Sequence, residues 1–463
     1  MPYESALALH ANNIAVVGPV SPAGLGDALQ YYVMVSLCND YFDKANMTFI
    51  CPIKERISVF KELELNARLI NTGLNGGLLL EYLLSLSIPH KNNKGVKKIT
   101  GGAQVDKVNT VSKIIRIIGN NNDPYLAYTC KYILSKYIVS PVAKSVFSFD
   151  AGIFAGHTIC HPLGLYIAQY ETFRSLVRGP MLTSPISLSK LIVNGQKPWI
   201  LKRLRQSLQK FDFIYVRGPH SLGILKTGLN IDEERVGMAL DSGFGIRLVC
   251  PDIITSNALG RKASRIVIIP RKDYFYSYNR EDSYKSYLDA LIGLSLWFSR
   301  NLDVEVFFAS QNVDYSRMSD QAAIDDVLRL LKKRHSSQHF KCSSIIEPNN
   351  IIDAYKLYAS ADLVISSRMH GGIMALSAGV PSVFIIPSAD VKVLDVLSFL
   401  GLDIGPYLID MFDVNALKAE NFINRVENIT RNLEYHRKIV ESAVNRTLPT
   451  VQLPVRTLAK LLR

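Results

Sequence analysis

Apolar and polar positions along this chain follow the rhythm of a parallel α/β protein, in which a short apolar run is followed by a polar turn and then by apolar residues at helical spacing. Residues 13–17 predict a strand, 18–27 a glycine-containing loop (GPVSPAGLGD), and 28 to about 37 a helix. From 55 to 142 the pattern is mostly helical, broken by a polar Gly/Lys/Asn stretch at 91–104. The alternation then resumes with apolar pieces at 145–149 and 152–154, a loop at 157–161 and a helix at 163–176. A basic helix at 198–208 leads to a strand at 213–216, the loop Arg217-Gly218-Pro219-His220-Ser221 and a helix to about 229. Periodicity is lost around 250–262, which marks a domain boundary. A second series begins with a strand at 264–269 that ends at Arg271-Lys272. A helix at 283–300, a strand at 304–310, a loop at 311–320 and a helix to about 333 follow. After 345–347 and a helix at 351–358 comes the segment 361–386. It reads as strand 363–366, loop 368–372, helix 373–379 and strand 381–386. A helix from Lys392 to about 400 and a largely helical tail complete the chain. The expected architecture is α/β and GT-B-like, with two doubly wound Rossmann-type domains facing across a cleft. Its divisions are an N-terminal domain over 1–250, a C-terminal domain over 262–430 and a helical tail over 431–463.

The chemistry concentrates where strands end. In an open parallel sheet the loops at the carboxyl ends of the strands bind ligands, and a helix N-terminus presents unpaired N–H groups to an anion. Arg368-Met369-His370-Gly371-Gly372 occupies such a position, with glycines that let a ligand come close. Arg217 falls at the end of another strand with the same layout. Taken alone, Arg368 could equally be a surface ion-pair residue and His370 a satisfied loop histidine. Asp27, at a helix start, reads either as an N-cap or as a carboxylate facing a cleft.

Composition is that of an ordinary folded protein, 48% hydrophobic and 20% charged. The formal charge of +13 favours anionic partners: phosphorylated metabolites, polyanionic glycans or an acidic membrane surface. No zinc-finger spacing or aromatic-basic RNA motif occurs, which argues against nucleic acid. Six cysteines lie far apart without a CxxC pair, so free thiols are expected, and neither a disulfide framework nor a metal site. Residues 77–88 are the most hydrophobic but short and interrupted by Glu81, and Lys131 and Lys136 break 125–142. Neither fits a membrane span, and the N-terminus lacks the pattern of a signal peptide. The expectation is a cytoplasmic protein, with peripheral contact at the anionic inner membrane face if its substrate is lipid-linked.

The run DLVISSRMHGGIMALSAGVPSVFI resembles the signature of polysaccharide pyruvyl transferases. Further segments resemble that family in the same order: GLGDALQ, FDAGIFAG, FDFIYVRGPHSLGILKTGL, Asp241 in LDSGF, IVIIPRKD, VFFASQNVDYSRMSD and Lys392. The resemblance extends from about 14 to 402. It departs at His157, where glycine is usual, at Gly218, where an acidic residue is common, and over the long region 55–140. What the resemblance implies is transfer of the enolpyruvyl unit of phosphoenolpyruvate to a sugar, lipid-linked or not, with no cofactor. Arg217, Arg271, Arg368, Met369, His370, Gly371 and Lys392 would bind the donor. A protonated His370 would act as general acid or hold the leaving phosphate, Asp27 or Asp241 would be the base, and His157 and His161 would line the acceptor side. Two rival readings are a nucleotide-sugar glycosyltransferase of the same fold and a non-catalytic glycan- or membrane-binding protein. The helix after His370 has no acidic residue to hold a ribose, which counts against the first.

Overall fold

The computed structural model describes residues 13–17, 25–42, 46–51, 67–71, 148–155, 158–159, 163–189, 198–254, 265–302, 304–311, 319–334, 342–346, 351–388 and 390–463. Two parallel sheets organise them. The first half contains β1 (Asn13–Val17), β2 (Asn46–Cys51), β3 (Ala67–Asn71), β4 (Ala151–Phe154), β5 (Thr158–Ile159), β6 (Met181–Thr183), β7 (Ser187–Leu188), β8 (Ile214–Val216) and β9 (Val236–Met238). Its main sheet has the order β3-β2-β1-β4-β6, with every pair parallel. Parallel bridges from Leu182 to Phe213 and from Ile186 to Val216 lead from β6 into the β8–β9 pair.

The second half contains β10 (Arg265–Ile269), β11 (Glu305–Ala309), β12 (Cys342–Ile346), β13 (Leu363–Ser366), β14 (Ser382–Ile386) and β15 (Leu408–Asp410). The order is β12-β11-β10-β13-β14-β15, again all parallel. β13 and β14 are buried along their whole length, which is why LVIS and SVFII do not alternate: helices cover both faces of a parallel sheet. Both sheets reverse winding direction at their first strand. The crevice this leaves in the second sheet lies between the ends of β10 and β13.

Several expectations are corrected. Residues 67–71, inside the stretch read as helical, form β3, and β2 was not foreseen. Their side-by-side pairing with β1 and with each other is a tertiary contact, which a local pattern does not register. The first helix runs Leu25–Tyr41, longer than 28–37. The helix placed at 373–379 is Met369–Ser377, so His370 and both glycines are helical rather than in a loop.

Of the C-terminal helices, Ala419–Arg431 packs on the helix Glu281–Asn301 and Leu433–Thr447 on Met369–Ser377 and Val391–Leu400, all in the second half, while Leu453–Leu461 returns to the first half. Arg456 Nε donates to the Tyr41 hydroxyl at 2.8 Å, and the hydroxyls of Tyr215 and Thr457 are 2.7 Å apart. Gly245 sits so tightly between Val33 and Val451 that a Cβ there would lie 2.9 Å from the Val451 side chain. One apolar core therefore runs through both halves. Among the described residues no helix is long and apolar enough to cross a membrane.

Candidate active site

The loops after β10 and β13 form the crevice of the second sheet, and a single buried tyrosine sets them relative to each other. The Tyr287 hydroxyl accepts the Arg271 N–H at 3.0 Å and shares a hydrogen bond with Ser367 Oγ at 2.8 Å. Arg271 forms a bidentate pair with Asp273, Nε at 2.6 Å and Nη2 at 2.7 Å, and its guanidinium lies 3.0 Å from the centre of the Tyr274 ring. Arg368 donates from Nε and Nη2 to the fully buried Asp320, at 2.9 and 2.6 Å, and from Nη2 to Asp273 at 3.2 Å. Burial pushes the Asp273 carboxyl up, but its hydrogen bonds to Arg271 and the charge of Arg368 outweigh this and hold it below the usual carboxylate range. Asp320 also accepts the Gln311 N–H at 3.0 Å, so the loop after β11 is fastened to the same arginine.

Arg368 is the N-cap residue of the helix Met369–Ser377. The N–H groups of Gly371 and Gly372 both turn back to its carbonyl, at 3.2 and 3.4 Å. These two N–H groups are thus spent within the helix. The glycines serve packing. A Cβ on Gly371 would collide with Ile269 and lie 2.9 Å from Ser366 Oγ, and one on Gly372 would run into the Phe384 ring. The helix can approach β10, β13 and β14 this closely only without those side chains.

His370 projects from the first turn of this helix toward the other half, where its Nε2 lies 3.9 Å from Asp241 Oδ1. Asp241 is fully buried and ion-paired with Arg217. It also accepts from Gln30 Nε2 at 3.0 Å and from the Gly243 N–H at 2.8 Å, which caps the turn Ser242–Gly245. Arg217, at the end of β8, is 1% exposed and donates to Ser187 Oγ at 3.2 Å. It therefore faces Asp241 from within the protein rather than lining an open cleft. Burial pushes the His370 imidazole down to about 4; Asp241 opposes the shift, while Arg217 and Lys392 add to it. This favours a neutral imidazole near pH 7 in the free protein; the protonated form that the resemblance implies calls for anions beside it.

Lys392 Nζ lies 3.2 Å from Asp390 Oδ2 and 3.3 Å from the Tyr274 hydroxyl, which donates to the same carboxylate at 3.1 Å. The four cations expected at the donor site thus each stand against a carboxylate: Arg217 on Asp241, Arg271 on Asp273, Arg368 on Asp320, Lys392 on Asp390. Sequence reasoning singled out the cations and Asp241 but not the other counterions, nor Tyr287 and Gln30. Asp273 and Asp320 lie within segments that already carried the resemblance, so Arg-x-Asp in IIPRKD was a usable signal. Met369 opens the helix beside Arg368. Asp27 lies on the first helix one turn before Gln30, and its side chain, like His157 and His161, is outside the described residues.

Two all-parallel sheets, each reversing direction at its first strand, give this chain a Rossmann-like GT-B fold. In overall fold the chain is similar to a UDP-GlcNAc 2-epimerase from Neisseria meningitidis, at TM-score 0.53 and 11% identity, with 97% of this chain and 99% of that one covered. It is similarly related to an α,α-trehalose 6-phosphate synthase from Burkholderia multivorans, at TM-score 0.51 and 11% identity, with 98% and 97% covered. No curated protein matches it in sequence. Residues 25–388 match the polysaccharide pyruvyl transferase family, and the chain belongs to that family.

Proposed function

We propose that this protein transfers the enolpyruvyl unit of phosphoenolpyruvate to a sugar of a polysaccharide or glycolipid precursor, forming a cyclic pyruvate ketal and releasing phosphate. The observation that carries this reading is the convergence on one sheet crevice of two arginine forks, a lysine and a partly buried histidine. Phosphoenolpyruvate places a phosphate and a carboxylate on a very small skeleton. Arginine's planar fork suits both groups. Arg271 and Arg368 commit Nε and Nη2 to Asp273 and Asp320, which fixes their planes; in this reading the Nη1 edge of each binds the donor.

The reaction needs a proton at the donor methylene while C2 develops positive charge. A sugar hydroxyl then bonds to C2, the C–O bond to phosphate breaks, and a second hydroxyl closes the ketal. Of the two protons the diol gives up, one ends on the new methyl group and the other on phosphate. His370 is the acid in this scheme. The anionic donor raises its pKa, so the proton arrives with the substrate. Asp241, saturated by Arg217, Gln30 and Gly243, steadies the imidazolium rather than acting as base; Asp27 is the carboxylate assigned to the acceptor hydroxyl.

The test is incubation with phosphoenolpyruvate, or separately with UDP-sugars, and a panel of glycosides, following phosphate, UDP and product mass. Phosphate release with a pyruvyl mass gain on an acceptor is expected. UDP release with glycosyl transfer would overturn the reading in favour of a glycosyltransferase.

A further inference from the structure

The short helix Pro219–Gly223, which follows Arg217, starts at a residue with no side chain to cap it, and the other half of the molecule supplies the cap. Asp395, on the helix Val391–Leu400, is fully buried. It accepts the N–H of His220 at 2.8 Å, the N–H of Ser221 at 3.2 Å and the Ser221 hydroxyl, and His220 Nδ1 lies 3.3 Å from the same carboxylate. Ser221 Oγ in turn accepts the Leu188 N–H at 2.9 Å, which ties the junction to β7. Gly218 closes against this helix. A Cβ there would lie 2.7 Å from the Asp395 Cα and overlap its backbone oxygen. The acidic residue common at 218 in the family pattern has no room here, and a carboxylate from across the domain boundary does the capping instead.

The two elements joined in this way both lead to the proposed donor site. Arg217 is the residue just before Gly218, and Lys392 is one helical turn before Asp395. Groups of the first half solvate a carboxylate of the second, so removing one of them with the junction closed would leave a buried charge under-bonded.

We propose that Asp395 is a positioning residue: it holds the Arg217 loop and the Lys392 helix as one unit, so that the donor site is assembled before phosphoenolpyruvate arrives. The assignment rests on the donor reading above. It places the effect of Asp395 on donor binding, through preorganisation, rather than on the chemical step.

The test compares Asp395→Asn, which removes the charge at constant size, with Gly218→Ala, which wedges the junction, and with the milder Ser221→Ala should the first not fold. Melting temperature, small-angle scattering and steady-state kinetics are read on each. The expected result is a KM for phosphoenolpyruvate raised about tenfold or more, with kcat at saturating donor within about threefold, and a more extended scattering profile. A lower melting temperature with unchanged KM and scattering would reduce Asp395 to a structural cap and overturn the proposal. If the unaltered protein neither binds nor turns over phosphoenolpyruvate, the donor reading fails by itself. The coupling is then decided by scattering and a double-mutant cycle of Asp395→Asn with Ser221→Ala in urea, where additive effects overturn it.

Discussion

His370 Nε2 stands 3.9 Å from Asp241 Oδ1, beyond hydrogen-bonding distance yet close enough for the carboxylate to stabilise an imidazolium. The two residues come from different halves, and Arg217 already neutralises Asp241. The free site is thus balanced in charge around a neutral histidine, and an incoming anion tips it.

That balance predicts a pH dependence of stability. The folded His370 pKa of about 4 lies below its ordinary value of 6.5, so as pH falls the unfolded chain takes up this proton first. Stability from the neutral, buried imidazole is full above pH 6.5 and is lost as pH falls from 6.5 toward 4. It amounts to at most about 3 kcal/mol. His436, also depressed by burial, adds to the same slope. Urea unfolding at pH 7 and pH 5 measures it, and His370→Gln should flatten the difference. An unchanged slope in that variant would show that His370 is not held neutral.

Donor binding should take up a proton. Titration calorimetry with phosphoenolpyruvate at pH 7, in buffers of different ionisation enthalpy, is expected to give net uptake that vanishes in His370→Gln. Equal apparent enthalpies in all buffers would place the acid elsewhere.

Arg368→Lys keeps the charge but cannot span Asp320 and Asp273 together. It should weaken donor binding about tenfold or more and cost about 1–3 kcal/mol of stability, because Asp320 is left under-bonded in the interior. Arg368→Ala with undiminished phosphoenolpyruvate binding would refute the donor site.

Gly372→Ala should destabilise the protein by about 1–3 kcal/mol by pressing a methyl group into the Phe384 ring. The readout is chemical denaturation, and a stability equal to that of the unaltered chain would mean the helix Met369–Ser377 can move outward freely.

Much of the second half was legible in the sequence because its strands are short apolar runs bounded by polar turns, with β13 and β14 buried throughout. β13 was read at its observed bounds, and Arg271 and Arg368 were placed at strand ends from pattern alone. β2 lies in a stretch to which no element was assigned, and β3 was missed because it lies within a stretch whose local pattern is helical. The glycines at 371 and 372 were recognised as positions of close approach, but the close approach the structure shows, to Ile269, Ser366 and Phe384, is not visible in sequence.

The sequence by itself determined two parallel α/β sheets and the cations at their strand ends, since those follow from local periodicity and residue type. Only the tertiary structure decided that Arg217 faces Asp241 and Arg368 faces Asp320, that Arg217 is turned inward, that burial pushes the His370 imidazole toward its neutral form, and that Asp395 caps a helix of the other half. These depend on contacts between segments as much as 175 residues apart, where burial and electrostatic pairing set the protonation state, and no local pattern encodes them.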